Sequence, residues 1–467
     1  TIDPATPLFN IRNGELMVDG GTFSSAGGMR IGIDGTVDDA AQVVVTNNGT
    51  LQLTREIARL RLGDAANANG SLLIDNGRVE LAGGYIAIPY AAGGTAVVSQ
   101  VGGTVTKAVI SFSENGAGDG TYTIKNGTLE AYQIRENTGA GTSAIYFDNA
   151  MLRALQDSTN AFMAVDTAEI LAGGLTIDAS ASSASITISA ALKGAGSITN
   201  DNSGSSVVTL TGNNSYTGNT YVKSGKLVLR TGRSFGSALL VNDYATLGIL
   251  VNSQDNFVTN ASLALGYGST VTFELGTLSN PQTNAMLKVA SLSATGPVTL
   301  ELTKSTLLGL SEGVIPLIDY EGTVGGGIGN FLANIPVLPS GVSGYLEHNV
   351  AETRIDLVIT GVPGLLWTGA VDNIWDGSRQ NWIDMQTGNP TTFVDGYPTY
   401  FRNGASTGNI QSDGSIIPNP SVIVISNSTL PYTFTGGAIG SGNGPLIKKY
   451  GSSSFTRTGG FAANGDF

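Results

Sequence analysis

The sequence predicts an all-β chain wound as a parallel β-solenoid, and three observations carry that expectation. Apolar residues recur two apart in short runs such as Leu51/Leu53, Leu72/Ile74 and Val79/Leu81, the period of a strand with one buried face. Gly-containing turn pairs punctuate the runs at Asn13-Gly14, Asn48-Gly49, Asn76-Gly77, Gly102-Gly103 and Asn126-Gly127. The spacings between those glycines are 35, 28, 26 and 24 residues, too loose for a strict tandem repeat and suited to coils with loops of varying length. A meander of hairpins is the local alternative, because Asn-Gly between strands is also a strong hairpin signal. Hairpins would alternate short and long connections, whereas here one unit of similar length recurs.

Composition agrees. Gly supplies 65 of 467 residues and charged residues only 13%, against about 25% in an ordinary globular chain. Hydrophobic residues still reach 41% with a mean hydropathy of +0.12, so a core can form. Recurring Gly and β-branched residues do not sustain a long helical stripe. The net charge of −13 has no dense Lys/Arg cluster, which argues against nucleic acid or an anionic membrane surface as partner. With no cysteine there are neither disulfides nor thiolate metal sites. No apolar run of about 18 residues is present, so no membrane insertion by a helix is expected. The chain starts at Thr1 without the features of a signal peptide, and any such peptide is expected to be removed or to lie outside this chain.

In chain order, a Pro-containing lead, Thr1–Leu8, precedes the units. Each unit adds a second strand ahead of a Gly/Ala-rich loop, as in Met29-Arg-Ile-Gly32, Leu60-Arg-Leu-Gly63, Ile86-Ala-Ile-Pro89 and Ile110-Ser-Phe112, which implies about three short faces per coil. Residues 55–61 and 148–165 are the two stretches expected to form helical turns. From about residue 166 the unit changes, with strands at Leu175–Asp178, Ile186–Ser189 and Val207–Leu210. Val208–Leu229 then forms the best-defined coil, with Tyr216 and Tyr221 as packing aromatics and Gly212, Gly218 and Gly225 as further turn positions. Less regular coils follow over 230–362, including strands at Ala245–Val251, Thr270–Leu275, Val298–Leu302 and Ile355–Ile359, with Pro316 placed near a strand edge and Gly325–Gly329 as a loop. This divides the chain into 1–165, 166–362 and 363–467.

The succession Leu192-x-Gly-x-Gly-x-Ile198, Val208-x-Leu-Thr-Gly-Asn-Asn-x-Tyr-Thr-Gly218 and Val222-x-x-Gly-x-Leu-x-Leu229 resembles the autotransporter-associated β-strand repeat. The pattern around Trp367-Thr-Gly, Trp375-Asp and Asn381-Trp382 is similar to inserts in that family, after which repeats resume. The resemblance implies a right-handed parallel β-helix of bacterial origin, exported to the cell surface. The restart at Leu446–Gly459 stops at Phe467 in mid-coil, which points to a longer parent or an edge that pairs with another molecule.

Little in the sequence calls for chemistry. His348 is the single histidine; it is expected in a loop, and one histidine makes neither a triad nor a zinc site. Asp34, Asp38, Asp39 and Asp64, and Glu114 with Asp119, are the carboxylates that stacked loops could bring together for glycan cleavage, although acids also populate exposed turns. Asn115–Gly120 does not reproduce a calcium-binding nonapeptide. Asn48-Gly-Thr, Asn126-Gly-Thr and Asn427-Ser-Thr match the glycosylation sequon, but turns require the same residues. Trp367, Trp375 and Trp382 either stack on sugars or plug the core at the interruption. The expected function is therefore non-enzymatic and cofactor-free: an extracellular structural or adhesive β-solenoid, with host or matrix glycans or proteins as possible targets and end-to-end self-association through terminal coils. The alternative is a polysaccharide lyase or hydrolase on the same scaffold.

Overall fold

The computed structural model describes residues 8–33, 41–137, 141–156, 158–180, 185–234, 238–276, 283–304, 310–440 and 445–458. It is a β-solenoid of about 17 turns, 54% strand and 1% helix. The lead at 1–7 and the stretch 459–467, including Phe467, lie outside the described residues.

The first stack has three faces up to about residue 200. One face is an eight-stranded parallel sheet running from Gly14–Asp19 through Ala41–Thr46, Asn69–Asp75, Thr95–Val101, Asp119–Lys125 and Ser143–Asp148 to Thr167–Ile170 and Leu192–Lys193. Its register places Leu16, Val43, Leu72, Val98, Tyr122, Ile145, Ala168 and Leu192 in one inward column. A second column on another face runs Met29, Leu60, Ile86, Ile110, Ile134, Met163, Ile188, Leu210, Leu229, Ile249, Phe273 and Leu302. Every member of that second column is buried. Like side chains on successive rungs stand one strand spacing apart and interdigitate, so each coil templates the next. The parallel register overturns the hairpin alternative for this stack.

Period-two burial also corrects the helical expectation at 148–165. Ala150–Ala154 alternates buried and half-buried, and pairs with 128–131 and 175–178; Ser158–Ala164 is a strand as well. Local helix propensity loses to an adjacent rung that already offers its hydrogen bonds. Residues 55–58 form a tight turn closed by the Ala58 N–H donating to the Arg55 carbonyl, and Arg59–Leu62 is a strand.

Coils shorten just after 198 and then lengthen: register partners Ile198, Thr220 and Leu239 are 22 and 19 residues apart, and Leu239, Leu263 and Leu292 are 24 and 29 apart. Val208–Leu229 is one such short coil. Tyr216 is buried, its hydroxyl 2.6 Å from Thr220 Oγ1. Tyr221, expected to pack, stands half-exposed on the outer side of its strand, because it is one residue out of phase with Thr220 and Val222, which are buried.

The stack ends differently from the expectation of irregular parallel coils. Ser343–Asn349 pairs antiparallel with Arg354–Gly361, which pairs antiparallel with Gly313–Tyr320. This hairpin places His348 on a strand rather than in a loop. Its turn, Val350–Thr353, contains neither Asn-Gly nor Gly, so the usual hairpin signature is missing. A single helical turn, Gly329–Leu332, follows the Gly-rich loop and buries Phe331.

Beyond Val362 a second hydrophobic core begins. Leu365–Trp367, Trp382–Asp384 and Pro390–Thr391 form an antiparallel edge. Parallel coils then resume with Thr399–Arg402, Val422–Ser426 and Leu446–Tyr450 on one face and Asn409–Ser412, Tyr432–Gly436 and Phe455–Arg457 on the other.

Candidate functional site

The turn glycines serve the stacking. At the corner after the eight-stranded sheet, the left-handed conformation falls on Asn76 (φ 53°), Gly102 (φ 76°), Asn126 (φ 54°) and Asn149 (φ 51°). The glycine that follows the Asn is needed for a different reason. A Cβ on Gly49, Gly77 or Gly127 would lie within 3 Å of the preceding rung, for instance 2.5 Å from the Val45 carbonyl oxygen at Gly77. Gly103 meets both demands, with φ 65° and a Cβ position 2.0 Å from the Gly77 oxygen. Gly212 and Gly218 abut Ala190 and Gly196, while Gly225 (φ 67°) abuts Asn202. Gly14 is not in this corner: it opens a strand opposite Ala41, and Gly20-Gly21 occupies the first corner.

The expected carboxylates are engaged in structure. Asp64 is buried and pairs with Arg30, with Arg61 3.7 Å away. Arg61 in turn lies over the Tyr90 ring. Glu114 accepts from Ser111 and lies 3.7 Å from Arg135. Asp119 accepts from the Thr142 N–H and hydroxyl, at 3.1 and 2.7 Å, and so pins the next rung. Asp34, Asp38 and Asp39 lie outside the described residues. No group of three or more His, Asp or Glu suited to hold a metal occurs among the described residues.

A polar ladder that sequence reading missed runs along one outer face. Ser24 donates to Gln52, and Gln52 donates to Glu80 at 3.1 Å. Thr106 donates to Glu130 at 2.6 Å, and Arg153 bridges Glu130 and Asp178 at 2.7 and 2.9 Å. Lys223 and Ser224 hold Asp201 at 2.6 and 2.8 Å. The Lys223 bond holds the Asp201 carboxyl below the ordinary carboxylate range. At Asp178, burial pushes upward but hydrogen bonds from Ser180 and Arg153 outweigh it, and the carboxyl is again lowered. Members of the ladder sit 22–28 residues apart in sequence, so the pairing shows only when the register is known.

The three tryptophans are buried together. Trp375 and Trp382 pack edge-to-face with ring centroids 5.2 Å apart, and Trp367 and Trp382 likewise at 5.1 Å. Phe393, Phe401 and Phe434 surround them. No ring face is open to a saccharide: exposure is 1% or less at each. Beside them Arg379 is clasped by Asp372 at 2.8 Å and by Asp376, with Asp413 at 3.8 Å. His348 Nε2 lies 2.6 Å from the Tyr320 hydroxyl, a contact that reaches from the closing hairpin across Arg354–Gly361 to the strand Gly313–Tyr320.

The described residues include two surface grooves. One, about 230 Å³, lies among Gln52, Arg78, Glu80 and Lys107 and contains a single carboxylate, short of the pair that glycoside hydrolysis uses. The other, about 420 Å³, lies between Lys223, Asn242, Asp243, Gly266, Ser293 and Thr295. Comparison with protein-family models, curated proteins and solved structures finds no match to this chain.

Proposed function

We propose that this protein is a non-enzymatic structural rod of the autotransporter-associated repeat type, exported and displayed outside the cell. The observation that carries this reading is the ladder from Ser24 to Lys223: its acidic and basic side chains are used to join rungs. Each coil adds a buried strip worth about 1.5–3 kcal/mol per large apolar side chain and one more set of neighbours, so stability accumulates along the axis. The column from Met29 to Leu302, extended by Phe9, spans thirteen strands. At about 4.8 Å per rung that is a stiff stack roughly 60 Å long. The outermost described strands, Leu446–Tyr450 and Phe455–Arg457, each have a neighbour on one side among the described residues, and such an edge accepts further coils or a second copy.

Electron microscopy of the purified protein should show rods of uniform width, single or joined end to end. A panel of acidic and neutral polysaccharides should give no turnover. Turnover that disappears on changing Asp64, Glu114 or Asp119 to the amide would replace this reading with the lyase or hydrolase alternative.

A further inference from the structure

We propose that Tyr244 and Tyr267, with the groove beside them, form a binding site for a neutral oligosaccharide. The two tyrosines occupy successive rungs, in the turns after Ala238–Val241 and Val258–Leu265. They are 74% and 51% exposed and meet edge-to-face, with ring centroids 5.8 Å apart. Burial is available to neighbouring side chains on the same rungs, such as Leu239 and Leu263, so the exposure of two adjacent rings is a property of this corner.

The backbone there is built to hold them. Tyr244 has φ 61°, a conformation that L residues with bulky side chains seldom adopt. The same turn position one rung on, two residues before the register partner Thr270, is Gly268 with φ 65°. A Cβ on Gly268 would lie 2.7 Å from Tyr244 Cε1, and one on Gly296 would lie 2.5 Å from Tyr267 Cδ2. Each ring therefore rests against a glycine of the next rung, where any side chain would displace it. Asp243 Oδ1 accepts the Tyr267 N–H at 2.8 Å and the Tyr244 N–H donates to the Tyr267 carbonyl at 3.0 Å, locking the two turns together.

Chemistry selects the ligand class. The groove that continues from these turns is about 420 Å³, within the range of small-ligand sites. It offers the amide of Asn242, the carboxylate of Asp243 and the hydroxyls of Ser293 and Thr295. Lys223 at its edge is neutralised by Asp201 at 2.6 Å. Open aromatic faces take the C–H faces of pyranose rings, and short polar side chains take the hydroxyls. A phosphate-bearing polymer is disfavoured by the net charge of −13, and between its polar groups the groove also presents Leu240, Val241, Ala264 and Leu265, apolar surface suited to the C–H face of a sugar. The site is independent of whether the protein assembles into fibres.

The test is isothermal titration of the whole chain with cellohexaose, chitohexaose and maltohexaose, preceded by a neutral-glycan array. At least one glycan should bind, and the double variant Tyr244→Ala/Tyr267→Ala should weaken it about tenfold or more. Tyr244→Phe/Tyr267→Phe keeps the rings and should stay within about threefold. Asn242→Ala/Thr295→Val leaves both tyrosines in place and should weaken binding about fivefold, which decides the matter if the alanine pair fails to fold. Absence of binding across the array, or unchanged binding in the polar double variant together with the alanine pair, would overturn the proposal.

Discussion

The two stacks solve the same problem with different side chains. The long stack, Ile11 to Val362, has a core of Ile, Leu, Val and Ala in continuous columns, with few aromatics. The short one, Leu365 to Ile439, concentrates three Trp, three Phe and Tyr432 in a single cluster. A long solenoid repeats a modest interaction many times, and each rung is confirmed by two neighbours. A stack built on one six-stranded and one three-stranded sheet has no such length to draw on. It relies on large rings, each of which buries about 150–250 Å², and on an antiparallel edge to close one end. Cooperativity is therefore distributed in the first stack and concentrated in the second.

Trp375→Ala probes the concentrated core and carries the largest expected effect, about 4 kcal/mol. Hydrogen exchange read by mass spectrometry should show 365–458 exchanging quickly while 41–137 stays protected. Loss of protection in both regions together would mean that the two cores unfold as one unit. Ile110→Ala, in the middle of the long column, should cost about 3 kcal/mol. Its exchange should rise most around 85–136 and fade with distance along the axis, the signature of near-neighbour coupling.

Glycine substitutions sharpen the same contrast at the corners. Gly103→Ala faces both φ 65° and a backbone oxygen 2.0 Å from the new Cβ, and should cost about 2–3 kcal/mol. Gly204→Ala, with φ 71° but open space around it, should cost about 1 kcal/mol. Chemical denaturation of the pair separates the expense of stacking from that of conformation.

Arg153→Met is the smallest expected change, about 0.5–1 kcal/mol, since the pair partners are partly exposed. Its diagnostic is pH. Asp178 and Asp201 are held below their unfolded values, so their contribution is complete above about pH 4 and lost as pH falls through the lower folded values. Stability measured between about pH 2 and 5 should fall with acid in the parent chain and fall less steeply in Arg153→Met.

Much of this architecture is legible in the residues, and the failures share a cause. Leu51/Leu53 and Leu72/Ile74 announce strands by period two, and the Asn-Gly pairs announce corners. Ala150–Ala154 reads as helix by composition, and only its pairing with Leu129 and Ile177 on flanking rungs makes it a strand. The hairpin carrying His348 has no turn signature of its own. Tyr244 and Tyr267 look like ordinary turn residues 23 positions apart until the register sets them side by side.

By itself the sequence determined the class of fold: alternating short strands with Gly and Asn corners can bury one face only by stacking coils. Tertiary structure decided which glycine answers to backbone conformation and which to the neighbouring rung. It also decided that the tryptophans face inward, and that the ladder acids pair with Gln, Thr, Arg and Lys side chains of neighbouring rungs. The physical reason is the distance over which each choice is made. Strand period and turn chemistry are set within a few residues, whereas the neighbours that fix burial and pairing lie one coil away along the chain.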